Sequence, residues 1–409
     1  MDGSISRPAV EKKPVSRETR STAEFCKRLY KMNAPVYLDC NATAPLDPAA
    51  RDELLHWTCD DIGNAGSRTH EFGLRARRAV QRSRQQIAAV VDAAPDEVVF
   101  TSGATESNNI AILGLAPFGE SSGKRHLVTT AIEHKAVLEP MEALESKGFE
   151  ISMVPPDATG AVSAATLRAA VRPDTLLVSV MHVNNETGIR QPIDEIASEL
   201  DGHDAFFHVD AAQGFGKDLV SLRSRRIDLI SASSHKIYGT VGVGALVARR
   251  REFERPPLAS LAYGGGQERG LRPGTLPTAL IASLGAAAKA AENDAVDRAE
   301  RCAAVRQTAL KALEPLGIRI HGDPELCLPH VLNFSVEGID SEALMLAVKH
   351  LVAVSNGSAC TSQSYTPSHV LQAMGLPMSA VSGAVRMSWC HMTPDVDWAA
   401  VADAIGALR

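Results

Sequence analysis

One unit recurs along this chain from Val36 to about Ala248 and limits its fold more than any other feature: a short apolar, β-branched run, a polar cluster at its end, then a helical stretch. The runs are Val98–Phe100, Leu127–Val128, Leu176–Val180, Phe206–Val209, Ile227–Ile230 and Val243–Val247. Continuous apolar runs of this length suit strands buried on both faces of a mainly parallel sheet. Stretches such as Leu74–Val91 and Ile193–Leu200 supply helices to cover it. The polar clusters follow their runs directly: Gly103-Ala104-Thr105, Glu133-His134-Lys135, Asn184-Asn185-Glu186, Asp210-Ala211-Ala212-Gln213 and Ser233-Ser234-His235-Lys236. Ligands of open α/β sheets sit at the carboxyl ends of strands, so these clusters predict one converging site.

The character changes after the Gly-rich loop Tyr263–Gly274. Ala279–Leu313 is Ala-rich with helical spacing, and a lobe boundary is placed inside it, near residue 293. Beyond it the pattern predicts a smaller α/β lobe: a strand at Val331–Val336, a helix at Ser341–Leu351, a loop carrying Cys360, a strand at Ala384–Ser388 and a last helix at Asp397–Leu408. A chain of 409 residues fits two lobes. Residues 1–33 are polar, lack the apolar core of a signal peptide, and read as a disordered arm.

The formal net charge is −6, which argues against nucleic acid as a partner, because phosphate binding needs clustered Lys and Arg. The short basic runs Arg75–Arg78 and Arg249–Arg251 read as solvated faces or strand ends. The seven Cys include no CxxC pair, so neither a disulfide framework nor a zinc site is expected. A reducing cytoplasm fits, and no apolar run is long enough for a membrane span.

Lys236 stands in the run Asp228–Gly239, just past its apolar part. A lysine at a buried strand end is costly unless paired or neutral, and Schiff-base chemistry with an aldehyde cofactor uses such a group. The alternative is a side chain that snorkels outward. Ser233 and His235 beside it can donate hydrogen bonds to a phosphate. Asp210 ends its strand with a carboxylate that can keep a pyridine nitrogen protonated, the condition for pyridoxal 5′-phosphate (PLP) to act as an electron sink. Alone it reads equally well as a helix N-cap. Gln213 can reach the ring oxygen of such a cofactor. His134 can stack on its face or be a core histidine.

The segment FTSGATESNN (residues 100–109) is a strand, a small-residue turn and a helix start, and amides at a helix N-terminus cradle phosphate. A plain βα turn is the alternative. It is neither a Walker nor a Rossmann motif, which favours a small phosphorylated cofactor over a nucleotide. The loop Tyr263–Thr275 either approaches a ligand or is merely mobile. Cys360 is flanked by small and polar residues, as an accessible thiol that attacks and carries sulfur would be. The other six Cys read as structural or incidental. Arg386 can hold a carboxylate bidentately.

Together these segments resemble the NifS/IscS cysteine desulfurases of the class V aminotransferase family, PLP fold type I, over about residues 36–409. The resemblance rests on YLDCNATAPLDP, GNAGSRTHEFG, FTSGATESNN, EHKAV, HVNNETG, HVDAAQ, SxHKIYG, GGGQERGLRPGT and SNGSACTS in family order. Within the family, LDCNATAPLDP, NAGSRTHEFG, SNGSACTSQSYTPSH and RMSWCH look most like the desulfurases of DNA phosphorothioation (Dnd) systems.

The resemblance implies an α/β fold with a seven-stranded, mainly parallel sheet in a large lobe (47–292) and a smaller α/β lobe (34–46 and 293–409). It implies that Lys236 binds PLP covalently, Asp210 pairs with the ring nitrogen, Gln213 with the ring oxygen, and His134 stacks on the ring and shares in catalysis. Ala104, Thr105, Ser233 and His235 would bind phosphate, with Thr275 from the partner subunit of a homodimer. Asn185, Arg386 and Asn41 would bind the substrate, Asn185 also standing beside the cofactor. Cys360 would carry the persulfide. Three places depart from the family pattern: Ser234 for Gly, where its side chain is expected to crowd the phosphate site, Thr240-Val241 for Pro-Lys, and Pro273 for Ser.

The implied reaction converts L-cysteine to L-alanine and hands sulfur to an acceptor protein, a cluster-bearing Dnd-type protein or an iron–sulfur scaffold. Housekeeping iron–sulfur assembly, selenocysteine lysis and transamination on the same fold are the alternatives.

Overall fold

The computed structural model describes residues 34–356 and 367–409. Its strands are β1 (Val36–Tyr37), β2 (Val98–Thr101), β3 (His126–Thr130), β4 (Glu150–Val154), β5 (Thr175–Met181), β6 (Phe206–Asp210), β7 (Leu229–Ser233), β8 (Gly244–Ala248), β9 (Arg319–Ile320), β10 (Val331–Ser335), β11 (Val352–Ala353) and β12 (Val385–Ser388). Seven of them form one sheet in the order β2-β8-β7-β6-β5-β3-β4. The run from β7 to β4 is parallel, and β8 lies antiparallel between β2 and β7. Burial of β5, β6, β7 and β8 along their whole length explains why they read as unbroken apolar runs. β4, the edge strand, is half exposed. It carries no such run, and the sequence reading missed it.

The helix Glu71–Val90 lays Ala76, Val80 and Ile87 on the sheet, and residues such as Phe100, Val178, Phe207 and Ile230 complete this first core. A second core gathers Leu332, Phe334, Val385, Met387 and Trp389 around the antiparallel sheet β12-β10-β9. The 36-residue helix Thr278–Leu313 serves both cores, with Ile281 and Leu284 in the first and Cys302, Ala309 and Leu313 in the second.

The chain start is tied to the second core. β1 pairs with β11, Leu38 is buried there, and Cys40 N–H donates to the Ser388 carbonyl. The strand then crosses to the large sheet, where Ala44 N–H donates to the His235 carbonyl. This crossing delivers Asn41 to the sheet edge.

The run Arg249–Arg251 is spent on structure. Arg249 donates to the carbonyls of Val91, Leu222 and Ser224, and Arg251 pairs with Asp228 at 2.6 Å. Among the described residues no helix is long and apolar enough to cross a membrane.

Candidate active site

The carboxyl ends of β2, β3, β5, β6 and β7 open on a cavity of about 460 Å³, the size of a small-ligand site. Asn41, Ala104, Thr105, His134, Asn185, Asp210, Gln213, Ser233, His235, Lys236 and Arg386 all line it. Thr275 does not. It lines a second cavity with Trp57, Asn64, Ser67 and His70. Cys360 lies outside the described residues.

Lys236 ends a short 3₁₀ turn directly after β7. Its ammonium donates to the Asn41 carbonyl at 2.5 Å and the Ala42 carbonyl at 2.7 Å. Two residues on, Tyr238 has φ +70°, a left-handed conformation that costs a bulky residue about 1–3 kcal/mol. Packing holds it there: its ring is buried, edge-on to His391 at 4.7 Å. The turn that aims Lys236 is thus imposed by tertiary contacts.

Ser234 is not against the cavity. Its hydroxyl faces Gly239, where an added Cβ would lie 2.1 Å from it. The expected crowding of the phosphate site is therefore wrong, because the 3₁₀ turn after β7 directs the Ser234 hydroxyl to Gly239 while Ser233 and His235 line the cavity.

Asp210 is 5% exposed. One carboxylate oxygen accepts from Ala212 N–H at 2.9 Å and the other from the Asn108 amide at 2.7 Å. A turn, not a helix, follows it, which removes the N-cap reading. His134 does cap a helix: Nδ1 accepts from Ala136 N–H at 3.0 Å, so its proton sits on Nε2. Burial lowers its pKa and keeps the ring neutral. His235 is also neutral, pulled down to about 4 by burial and then by Lys236. Arg386 donates to Asp39 at 2.6 Å, Ser355 at 2.9 Å and the Asn185 carbonyl at 2.9 Å.

The sequence model for aminotransferase class-V matches residues 36–398. The chain belongs to this family. It is 44% identical over 383 residues to the cysteine desulfurase IscS of Methylococcus capsulatus, covering 92% of this chain and 94% of that one. It is similar to the crystal structure of DndA from Streptomyces lividans (50% identity, TM-score 0.77, 87% of this chain and 99% of that one). It is also similar to SspA in complex with cysteine (36% identity, TM-score 0.76, 86% of this chain and 98% of that one). Within the class-V aminotransferases the chain thus falls in the cysteine desulfurase group, and it is a PLP-dependent enzyme.

The cavity fits that cofactor of the class-V aminotransferases. Asn41 Oδ1, Asn108 Oδ1, Gln213 Oε1 and Arg386 Nε are buried around it with no hydrogen-bond partner among the described residues, a costly arrangement unless a polar ligand completes it. The helix Ala104–Leu113 begins at the cavity wall directly after Gly103, leaving its first amides for an anion.

The supporting roles of three residues escaped the sequence reading. Asn108 is fully buried and holds Asp210; a polar residue on an otherwise buried helix face was its only signal. Asp39 braces Arg386. Glu133 accepts from the Thr130 hydroxyl at 2.7 Å and Met181 N–H at 2.8 Å, fastening the ends of β3 and β5. Burial pushes its pKa up to about 8, so it is a neutral acid at pH 7.

Proposed function

We propose that this enzyme is a cysteine desulfurase that takes sulfur from L-cysteine onto Cys360, releases L-alanine, and passes the persulfide sulfur to an acceptor protein. The observation that carries the reading is the convergence of Lys236, Asp210 and Arg386 on one cavity. When bound, PLP supplies an electron sink for a carbanion at the substrate Cα.

The chain's own residues divide the remaining work. Arg386, with Asn185 and Asn41, holds the substrate carboxylate. Lys236 anchors the cofactor and moves the proton at the substrate Cα. Asp210 would keep the ring nitrogen of the bound cofactor protonated, Gln213 would pair with its ring oxygen, and neutral His134 would stack on it. Ala104, Thr105, Ser233 and His235 hold the phosphate. Thr275, absent from its own chain's cavity, completes that site from the partner subunit of a homodimer. The Cys360 thiolate attacks the substrate sulfur. The two-lobe division at 47–292 against 34–46 and 293–409 belongs to the same reading.

Cys360→Ser should retain the cofactor absorbance yet form no persulfide and almost no alanine. Wild-type alanine output from it would instead indicate a Cys-independent lyase.

The sulfur is proposed to serve DNA phosphorothioation. The 50% identity to DndA supports this. The net charge of −6 favours delivery through a protein acceptor over direct contact with DNA. Deletion of the gene should abolish DNA phosphorothioates. Intact phosphorothioates with depleted iron–sulfur enzymes would assign it to housekeeping cluster assembly.

A further inference from the structure

We propose that Cys40 and Cys390 form a buried dithiol that a small hydroperoxide converts to a disulfide, a redox modification site directly behind the residues that hold Lys236. The sequence reading set both cysteines aside as structural or incidental. The fold brings them together from opposite ends of the chain. Cys40 N–H donates to the Ser388 carbonyl at 3.1 Å and Asn41 N–H to the Ser388 hydroxyl at 2.9 Å. These bonds clamp the Cys40 strand to the end of β12, from which Cys390 follows. The two side chains pack in one small cluster with Tyr238 and Met392, and each thiol is the first influence on the titration of the other.

The surroundings divide the labour within the pair. The neighbouring Cys40 thiol, helped by Thr393 and the nearby Lys217 cation, lowers the pKa of Cys390 despite burial. The neighbouring Cys390, together with burial, raises that of Cys40. Lys217 is held at 3.3 Å from His330 Nε2. Cys302 is the third thiol near this lysine, and burial pushes it up to about 12. Arg298 stacks on the Tyr238 ring, 5.3 Å from its centroid. Among the described residues no group of three or more His, Cys, Asp and Glu could hold a metal ion.

The steps balance. The Cys390 thiolate attacks the distal oxygen of the hydroperoxide, forming an S–O bond and breaking O–O, and the departing alkoxide or hydroxide takes a proton. The Cys40 sulfur then attacks the Cys390 sulfenic acid, forming S–S and expelling water. Overall, two thiols and one hydroperoxide give a disulfide, an alcohol (or water) and water. Burial of both sulfurs restricts the reaction to small oxidants.

The site matters because of its neighbour. Cys40 precedes Asn41, whose carbonyl accepts from Lys236 at 2.5 Å and from Gln213 at 3.0 Å. Drawing Cys40 toward Cys390 moves that carbonyl.

The test has two parts. PLP-loaded wild type is treated with hydrogen peroxide at a dose that oxidises about half of the exposed Cys59. It is then alkylated, unfolded and digested with trypsin without reduction. The fragments Met32–Arg51 and Met387–Arg409 each hold one cysteine of the pair. They should appear as a linked species that dithiothreitol releases and that Cys390→Ala abolishes. Separate, alkylated fragments, or Cys390 linked to Cys302, would overturn the assignment. In the second part, PLP-loaded Cys360→Ser is oxidised, so that the persulfide carrier cannot respond. The change in cofactor absorbance on adding cysteine should slow on the order of tenfold, because ångström-scale misplacement of reacting groups costs up to about 10²-fold. Dithiothreitol should restore the rate, and Cys40→Ala in the same background should be insensitive. An unchanged rate in the linked protein would show that the disulfide does not reach the active site.

Discussion

The cofactor wall of the cavity and its substrate wall are built by opposite routes. On the cofactor side, Gly103–Thr105, His134, Asp210 and Ser233–Lys236 each lie at or just past the end of a strand of one sheet, and strand register sets their spacing, as where Asp210 lies opposite Ser231 in a parallel pair. On the substrate side, Asn41, Asn185 and Arg386 come from three distant segments. They are joined by hydrogen bonds that span 144, 201 and 347 residues of sequence. A wall made of consecutive strand ends keeps its geometry as long as the sheet exists. A wall made of cross-chain bonds depends on how the second core docks, so it can change its grip on substrate while the cofactor stays put.

That contrast can be broken from either side. The largest effect is expected for Lys236→Ala, a cofactor-wall change that should lower alanine formation by on the order of 10⁴-fold with little loss of thermal stability. Borohydride trapping should label Lys236 alone in the wild type, and a label on another lysine would sink the assignment. Asp210→Asn should cost about 10²-fold in turnover, mainly in kcat. An unchanged kcat would reduce Asp210 to a turn former.

Arg386→Ala tests the substrate wall. Loss of a charged hydrogen-bonding partner is worth about 1.5–3 kcal/mol, so kcat/KM should fall by roughly 10- to 150-fold, chiefly through KM, with the bound-cofactor absorbance intact. If the absorbance is lost instead, the two walls are not separable.

The smallest effect is expected at Glu133, which fastens the cofactor wall from inside. The folded protein keeps this proton up to about pH 8, against 4.5 for the ordinary group. The folded state therefore binds more protons than the unfolded chain between these values, and stability falls as pH rises across that window. Glu133→Gln keeps an acceptor for Thr130 and Met181 but has no proton to lose. Its melting temperature should match wild type near pH 5 and exceed it near pH 8. A constant difference across that range would remove Glu133 as the titrating group.

The sequence by itself determined what depends on near neighbours. Apolar runs marked the buried strands, and a polar cluster after each run marked where a ligand would sit. Lys236, Asp210, His134 and Ser233 were legible because strand end and side chain lie within a few residues of each other. Tertiary structure decided the rest. β4 was invisible because an edge strand needs no unbroken apolar run. Asn108, Glu133 and Asp39 were invisible because a buried polar residue announces itself only through its partner, which lies far off in sequence. The left-handed Tyr238 is set by packing that its own preferences oppose. Cys40 met Cys390 because the chain start is clamped to the end of β12 only when the second core forms. Those contacts arise between segments that share no local pattern, and local pattern is all that a linear reading can measure.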